Sequence, residues 1–246
     1  MNYYIFLYLF LYLYILYKKN CIYYIMIKKY NNKFNLQNLF NIINQKKTFL
    51  LQIFGNLIFQ ILVTFVIFYN LKVNFVNNNL YLILLILLQF AIIFIFAWCP
   101  MPMFFKFLLM TLFSALWGLI FIRLKNHVPE EVVKTAILGV LGIFVGMFLF
   151  GLLLVAFGVY LDYRFGFILL GLLLLLIIVS IVLMFMHEYH GAHKGIAVIT
   201  IILFSLFIIY DTNNVLYGPS NDPIGASMDY YLDFMNIFTA LVNYQT

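Results

Sequence analysis

Charged residues are scarce in this 246-residue chain. They make up 9% of the sequence, and hydrophobic residues make up 66%, whereas soluble domains carry about 25% charged residues. Several apolar stretches approach the length that a membrane-spanning helix needs. These stretches are continuous rather than alternating, which argues against a transmembrane barrel. The composition therefore predicts an all-α fold, a polytopic membrane helical bundle in contact with a lipid bilayer.

Cysteine and acidic residues are also few, and this scarcity argues against further classes of protein. Only Cys21 and Cys99 occur, so neither a disulfide framework nor a cysteine-based metal site is implied. The first 47 residues contain seven of the 14 basic residues and no acid, which is typical of a topology signal. This aromatic, lysine-rich flank matches no nucleic-acid module, so we expect no nucleic-acid partner.

No motif for catalysis is present. The chain has no phosphate-binding glycine loop, no HExxH zinc motif and no G-x-S-x-G nucleophile elbow. We therefore expect no enzyme activity and no cofactor.

The chain divides into two segments. Residues 1–47 form an N-terminal extension rich in aromatic residues and lysine. Within it, residues 3–17 predict an extra aromatic helix that spans the membrane or lies at its surface. Residues 30–47 predict a short amphipathic surface helix. Residues 48–246 predict a membrane domain of several transmembrane helices.

The polar residues of the first core helix, predicted over Phe49–Tyr69, follow a helical repeat. They recur every four residues on one face, which indicates hydrogen bonding to other helices: they are Gln52, Asn56, Gln60 and Thr64. In the third helix, Ser114 and Gly118 predict a small-residue face for close packing. Gly142 and Gly146 form a GxxxG pair with the same implication.

Two acids lie in the C-terminal apolar sequence. Asp211 ends the run IAVITIILFSLFIIY, and Asp233 lies inside the run YYLDFMNIFTALV. An ionised carboxylate in hydrocarbon is costly. The intervening TNNVLYGPSNDPIGAS predicts a hairpin loop that brings the acids face to face. Facing carboxylates would share one proton and titrate as a coupled pair, although Asp211 alone could equally be an interfacial residue.

These residues resemble the closing signature of the Bax-inhibitor/Lifeguard family. The similarity lies in YDT at 210–212 and DYYLDFMNIF at 229–238. KTFLLQIFGNLIFQILVT at 47–64 and PMFFKFLLMTLFSALWG at 102–118 resemble the family's first and third helices. The resemblance implies seven helices and a proton-sensitive pair, Asp211 and Asp233, that controls a calcium leak. A role in modulating cell death is the alternative that the resemblance implies. Candidate supporting polar residues are Gln60, Gln89, Ser114 and His193. The second helix departs from the family in having no Arg or Lys that could latch the pair.

A histidine-rich stretch, HEYHGAHKG at 187–195, raises the alternative of a metal site. His187, Glu188, His190 and His193 could supply zinc ligands. The second histidine stands at i+3 rather than at i+4, so we favour a solvated interfacial loop and expect no metal.

The second hypothesis for the chain is a non-catalytic accessory subunit of a respiratory complex in the mitochondrial inner membrane. Its Phe-, Tyr-, Ile-, Asn- and Lys-rich composition fits an AT-rich gene such as a mitochondrial one. The endomembrane system (ER or Golgi) is the alternative location. With seven core helices, nine Lys and Arg lie on the N-terminal side and five on the other, which predicts that the N-terminal side is the cytosol or the matrix.

Overall fold

The computed structural model describes residues 35–73, 78–125, 128–185 and 190–246. Within these residues all regular structure is helical, and the helices number seven, as predicted. They are α1 (Leu36–Asn70), α2 (Asn79–Trp98), α3 (Met103–Lys125), α4 (Glu130–Ala156), α5 (Tyr163–Phe185), α6 (His190–Tyr217) and α7 (Pro223–Gln245). The predicted helix over residues 3–17 lies outside the described residues.

The first core helix is longer than predicted. It begins at Leu36 rather than at Phe49, so the separate surface helix expected over residues 30–47 is wrong for residues 36–47. Asn35 starts the helix because its side-chain oxygen accepts a hydrogen bond from the Asn38 amide at 3.1 Å. No proline follows before Asn70, so nothing in the sequence breaks the helix at the expected boundary.

α6 also continues past its predicted end. The polar residues that follow Asp211 belong to the helix, which ends at Tyr217, so the expected 16-residue loop reduces to residues 218–222. Thr212 does not interrupt the helix because its hydroxyl donates to the Ile208 carbonyl one turn back, at 2.7 Å. The hairpin is thus confirmed, but its turn is short, and Asp211 lies inside a helix rather than at its end.

α7 is the central helix of the bundle. It packs against α1, α3, α4 and α6, and the eleven successive residues from Tyr230 to Ala240 are all buried. Because a helix that is buried at every successive position faces neighbours on all sides, α7 lies inside the bundle. α2 packs mainly on α3 and α5 mainly on α6, so these two helices lie at the periphery.

Six of the described helices, α1 to α6, are long and apolar enough to cross a membrane, judged by length and composition. α7 does not meet that criterion, since it carries more polar residues. Its position explains the difference, because a helix surrounded by other helices does not have to face lipid.

Contacts between helix ends show how the chain alternates across the bundle. The Asn35 amide donates to the carbonyl of Ala156, the last residue of α4, at 3.0 Å. Lys46 of α1 bonds to the Val215 carbonyl near the end of α6. The N-terminal part of α1 therefore lies at the same end of the bundle as the ends of α4 and α6, as the predicted topology requires. Which compartment this end faces stays a prediction.

The two predicted small-residue faces, on α3 and on α4, differ in how closely other helices pack against them. A Cβ added at Gly118 would lie 2.7 Å from the Thr64 carbonyl oxygen and 2.8 Å from the Ile67 side chain. The close packing predicted for this face of α3 is therefore confirmed, and the structure identifies α1 as the partner. The prediction for Gly142 and Gly146 is wrong among the described residues. A Cβ at either position meets no atom within 4 Å, so this GxxxG pair does not mediate close packing within the chain.

Candidate functional site

Asp211 is buried in the last third of α6. Its residue is 6% exposed, and α6 extends for six residues beyond it. Asp211 therefore lies inside a helix and is buried by the protein, and its depth in the membrane stays a prediction. The helix continues because the polar residues after Asp211 find partners inside the protein.

Asp233 is buried in the middle of α7, with 4% of its residue exposed. α7 and α6 pack extensively against each other, so the two helices that carry the predicted pair are neighbours. Among the buried residues that the structure describes, Asp211 and Asp233 are the only ones with a formal charge. Burying an ionised carboxylate costs free energy, so these two carboxyl groups stand out among the buried residues described.

Tyr230 connects the surroundings of the two acids. Its hydroxyl donates to the Thr212 hydroxyl at 3.0 Å, which bridges α7 to α6 one residue after Asp211. Tyr230 also interacts electrostatically with both Asp211 and Asp233. The structure thus brings both predicted residues into the same buried region. Their action as a proton-sensing pair stays a prediction.

The wall of this region is aromatic. The Tyr230 ring lies 5.7 Å from the ring of Phe54 on α1 and 5.6 Å from the ring of Phe144 on α4, measured between ring centroids. Phe144 also contacts Phe234, with centroids 6.2 Å apart. Apolar walls strengthen electrostatic interactions by excluding water, so the charge state of the acids has large consequences here.

A third acid near Tyr230 was not identified as a candidate from the sequence. Asp229 lies one turn before Asp233 on α7, is half-buried, and also interacts electrostatically with Tyr230. The sequence could have indicated that Asp229 lies near Asp233, since the two acids stand four residues apart and hence on the same side of a helix. We assigned Asp229 only to the family signature because it precedes the apolar run.

The polar face of α1 forms hydrogen bonds to α3 and α7. The Gln60 amide donates to Thr111 of α3 and to Asn56, both at 3.1 Å. Asn56 in turn donates to Ser227 of α7. The predicted interhelical role is therefore confirmed for Asn56 and Gln60, but it is wrong for Gln52, which is exposed.

Ser114 and Thr64 extend this network toward α7. The Thr64 hydroxyl lies 3.0 Å from the Ser114 carbonyl oxygen and 2.6 Å from the Tyr231 hydroxyl. Ser114 is fully buried, and its own hydroxyl donates to the Met110 carbonyl at 3.0 Å. Tyr231 was not singled out from the sequence, because a tyrosine in an apolar run usually indicates packing or the membrane surface.

Gln89 is placed differently from the other candidates. It is fully buried in α2, and neither its amide nitrogen nor its carbonyl oxygen has a hydrogen-bond partner in the described part of the chain. α2 packs mainly on α3, so the structure gives no link from Gln89 to the acids on α6 and α7.

His193 lies in the first turn of α6, far along the helix from Asp211. It is half-buried. No group of three or more His, Cys, Asp or Glu residues that could hold a metal ion occurs in the described residues. His187 and Glu188 of the considered metal site lie outside the described residues.

Asn213 is a structural residue that the sequence analysis missed. Its fully buried side chain accepts a hydrogen bond from the Leu161 amide and donates to the Val159 carbonyl, both at 2.9 Å. These bonds attach the loop between α4 and α5 to α6, two residues after Asp211. In the same loop, burial raises the pKa of Tyr160, and the nearby Asp162 carboxylate raises it further.

The fold and its buried carboxyl groups define the class: this is a multi-pass α-helical membrane protein with an aromatic-walled acidic region in its core. The sequence profile of the family described as "Inhibitor of apoptosis-promoting Bax1" matches residues 46–245. The chain therefore belongs to the Bax inhibitor family of transmembrane proteins, as the resemblance implied.

Individual relatives match over short stretches. The chain is 43% identical over 49 residues to an uncharacterized protein of Campylobacter jejuni, which is 20% of this chain and 21% of the relative. It is 49% identical over 41 residues to an uncharacterized protein of Helicobacter pylori, or 17% and 18% of the two chains. An uncharacterized membrane protein of Vibrio cholerae is 35% identical over 52 residues, or 21% and 23%. The matched stretches thus span about a fifth of each relative.

Proposed function

We propose that this protein is a pH-sensitive calcium leak in which Asp211 and Asp233 share a proton. The observation that carries the proposal is the burial of these two carboxyl groups on adjacent helices, with no other formal charge among the buried residues described. Membership of the Bax inhibitor family supports it.

The proposed mechanism follows from the cost of charge in the membrane. An ionised Asp in the centre of a membrane helix costs about 2.5–3.5 kcal/mol or more. Two neighbouring carboxylates also repel each other, so at low pH the pair retains protons and the path is closed. As pH rises the protons leave, the repelling charges favour a more open arrangement, and a cation can neutralise them. Calcium fits this step because its preferred ligands are carboxylate and carbonyl oxygens.

The neighbours of the acids suit this role. Tyr230 bridges α7 to α6 through Thr212, so the helices are joined by neutral hydroxyl groups beside the acids. Such a bond does not neutralise a carboxylate in the way that Arg or Lys would.

Calcium flux from liposomes tests the proposal. The reconstituted protein should release calcium faster as pH rises, and the Asp211→Asn, Asp233→Asn double variant should lose that dependence because it cannot ionise. Asp162→Asn is the matched control, since Asp162 is a more exposed acid at the end of the bundle. Flux whose pH dependence is the same in the double variant and in the wild type would rule out the mechanism.

A second candidate function is that of an accessory subunit in a mitochondrial inner-membrane complex. The observation behind it is the apolar outer surface of the peripheral helices, which can pack against protein as well as lipid. Leu84, Leu87 and Leu88 on α2, and Ile168 and Leu175 on α5, are all exposed. A location in the ER or Golgi is the alternative.

Extraction in mild detergent separates the two candidates. An accessory subunit would migrate with a large assembly and co-purify with its other subunits in stoichiometric amounts. Migration only as a monomer or small oligomer would contradict the subunit hypothesis and leave the leak as the function to test.

A further inference from the structure

The hairpin formed by α2 and α3 contains an amide side chain at its centre. Gln89 stands in the middle of the 20-residue helix α2, and it is 0% exposed. Nine residues or more separate it from either end of that helix, which is about 14 Å at 1.5 Å per residue. The side chain of Gln89 is too short to cover that distance, so its amide cannot reach water at the ends of the bundle.

The amide of Gln89 has no hydrogen-bond partner in the described part of the chain, on either its nitrogen or its oxygen. Its neighbours along the buried face of α2 are apolar, since Ile86, Ile92 and Ile93 are buried with it. A polar group without a partner is strongly destabilising in the hydrocarbon region of a membrane. Buried polar groups in stable folds are nearly always hydrogen-bonded, to protein or to ordered water. Gln89 therefore requires a partner other than the described side chains and backbone.

The facing helix carries a second group of this kind. Trp117 of α3 is 1% exposed, and its indole nitrogen has no hydrogen-bond partner among the described residues. Two contacts fix the register of α2 against α3. At one end of the hairpin Arg123 donates to Oδ1 of Asn79 at 3.1 Å, and at the other the Nζ of Lys106 lies 5.7 Å from the centroid of the Phe96 ring.

This register places the two unsatisfied groups near each other along the hairpin. Both contacts put Gln89 level with Phe113 of α3, and Trp117 is one helical turn further along, about 6 Å. A water molecule that bonds to two groups holds them about 5 Å apart, since each hydrogen bond is about 2.8 Å long. One water molecule can therefore serve both the amide of Gln89 and the indole of Trp117.

The donors and acceptors that lack partners define the chemistry of the ligand. Gln89 offers an N–H donor and a carbonyl acceptor, and Trp117 offers a donor alone. A cation would leave both donors unpaired, and an anion would bring a charge with no counterion nearby. The basic residues of the hairpin lie at its ends, where Lys106 pairs with Asp222 and Arg123 with Asn79. A small neutral molecule that both donates and accepts fits, and water is the smallest.

We propose that the α2–α3 hairpin binds internal water at its centre, with the amide of Gln89 as the main ligand and the indole N–H of Trp117 as a second donor. Internal water typically forms about three hydrogen bonds to buried groups that have no other partner. The site gives the single amide of an otherwise apolar helix a structural role. It involves none of the buried acids, so it does not depend on the proposed calcium leak.

Solid-state NMR of the full-length protein in liposomes tests the site by magnetisation transfer from water protons. The Gln89 amide signal is assigned by its loss in Gln89→Met, which keeps the length of the side chain and removes its hydrogen bonds. The chain has two tryptophans, so Trp98→Phe leaves the indole signal of Trp117 alone. In the wild type, transfer to the Gln89 amide should be several times faster than to the side chain of Ile93, which lies at the same depth.

Three variants distinguish a shared water site from general hydration of the bundle. Gln89→Met should remove most of the transfer to the indole of Trp117, because the water loses its main ligand. Gln89→Asn keeps an amide and should retain the transfer. Gln52→Met is the matched control, since it removes an exposed amide from α1, and it should behave as the wild type does.

Each outcome decides the inference. Fast transfer to Gln89 and Trp117 in the wild type, lost at Trp117 only in Gln89→Met, supports the site. Transfer to the Gln89 amide that is as slow as transfer to Ile93 overturns it, and this comparison requires only the wild-type fold. Transfer to Trp117 that is unchanged in Gln89→Met overturns the shared site. These results do not bear on calcium flux, so the proposed function stands or fails by its own experiment.

Discussion

Gly118→Ala should destabilise the protein because α3 and α1 are in contact at this glycine. The added Cβ would lie 2.7 Å from the Thr64 carbonyl oxygen, and ordinary contact begins at 3.4 Å. The backbone of α1 would have to move by about 0.7 Å, which a close-packed interior does not accommodate freely. Overpacking of this kind costs about 1–3 kcal/mol.

Two further terms set the net size of the effect. A shift of α1 lengthens the hydrogen bond from the Thr64 hydroxyl to the Ser114 carbonyl, now 3.0 Å, which costs about 1 kcal/mol. Alanine favours the helix over glycine by about 1 kcal/mol. These two terms cancel approximately, so Gly118→Ala should lower the free energy of unfolding by about 2 kcal/mol, the overpacking cost.

Gly142→Ala is the matched control. It makes the same substitution in the interior of α4, where the added Cβ meets no atom within 4 Å, so it should be neutral or slightly stabilising. The assay is unfolding in mixed micelles with increasing dodecyl sulfate, followed by the loss of helical circular dichroism. If Gly118→Ala unfolds at the same detergent fraction as Gly142→Ala, the inferred contact between α1 and α3 is wrong.

Two smaller predictions concern buried hydrogen bonds. Tyr231→Phe and Thr64→Val should each lower stability by about 1 kcal/mol because each removes one side of their 2.6 Å bond. The double variant should cost clearly less than the two together, and simple additivity would show that the bond contributes nothing. Asn213→Ala should speed amide hydrogen exchange at Leu161, whose amide donates to Asn213 at 2.9 Å. Equal exchange in variant and wild type would mean that this bond does not hold the loop.

Much of the architecture could be predicted because apolar length dictates it. A continuous apolar run near 20 residues long specifies a membrane helix, so most helix boundaries followed from composition, whereas the number of seven helices followed from the family resemblance. The polar repeat of α1 specified its buried face for the same physical reason, since an amide in contact with lipid is costly. Gln52 is the exception, since it is exposed in the structure.

The polar segment after Asp211 shows where composition does not predict the secondary structure. Thr212 and Asn213 resemble loop residues, but hydrogen bonds to Ile208 and to the loop at Val159 satisfy them inside a helix. Such partners come from distant parts of the chain, so local propensity cannot predict them. The bond from Lys46 to the Val215 carbonyl and the bond from Lys106 to Asp222 could not be predicted for the same reason, since each joins residues more than 100 positions apart.

The central helix illustrates how polarity and burial are linked in this fold. α7 alone among the described helices falls short of the apolar composition of a membrane span, yet it is the helix that its neighbours surround. A polar residue facing lipid must bear the full desolvation cost, whereas one facing other helices can form hydrogen bonds. The peripheral helices α2 and α5 can therefore be almost purely apolar. Polar and acidic groups concentrate on α7 and the adjoining part of α6, where Asp211 and Asp233 are buried.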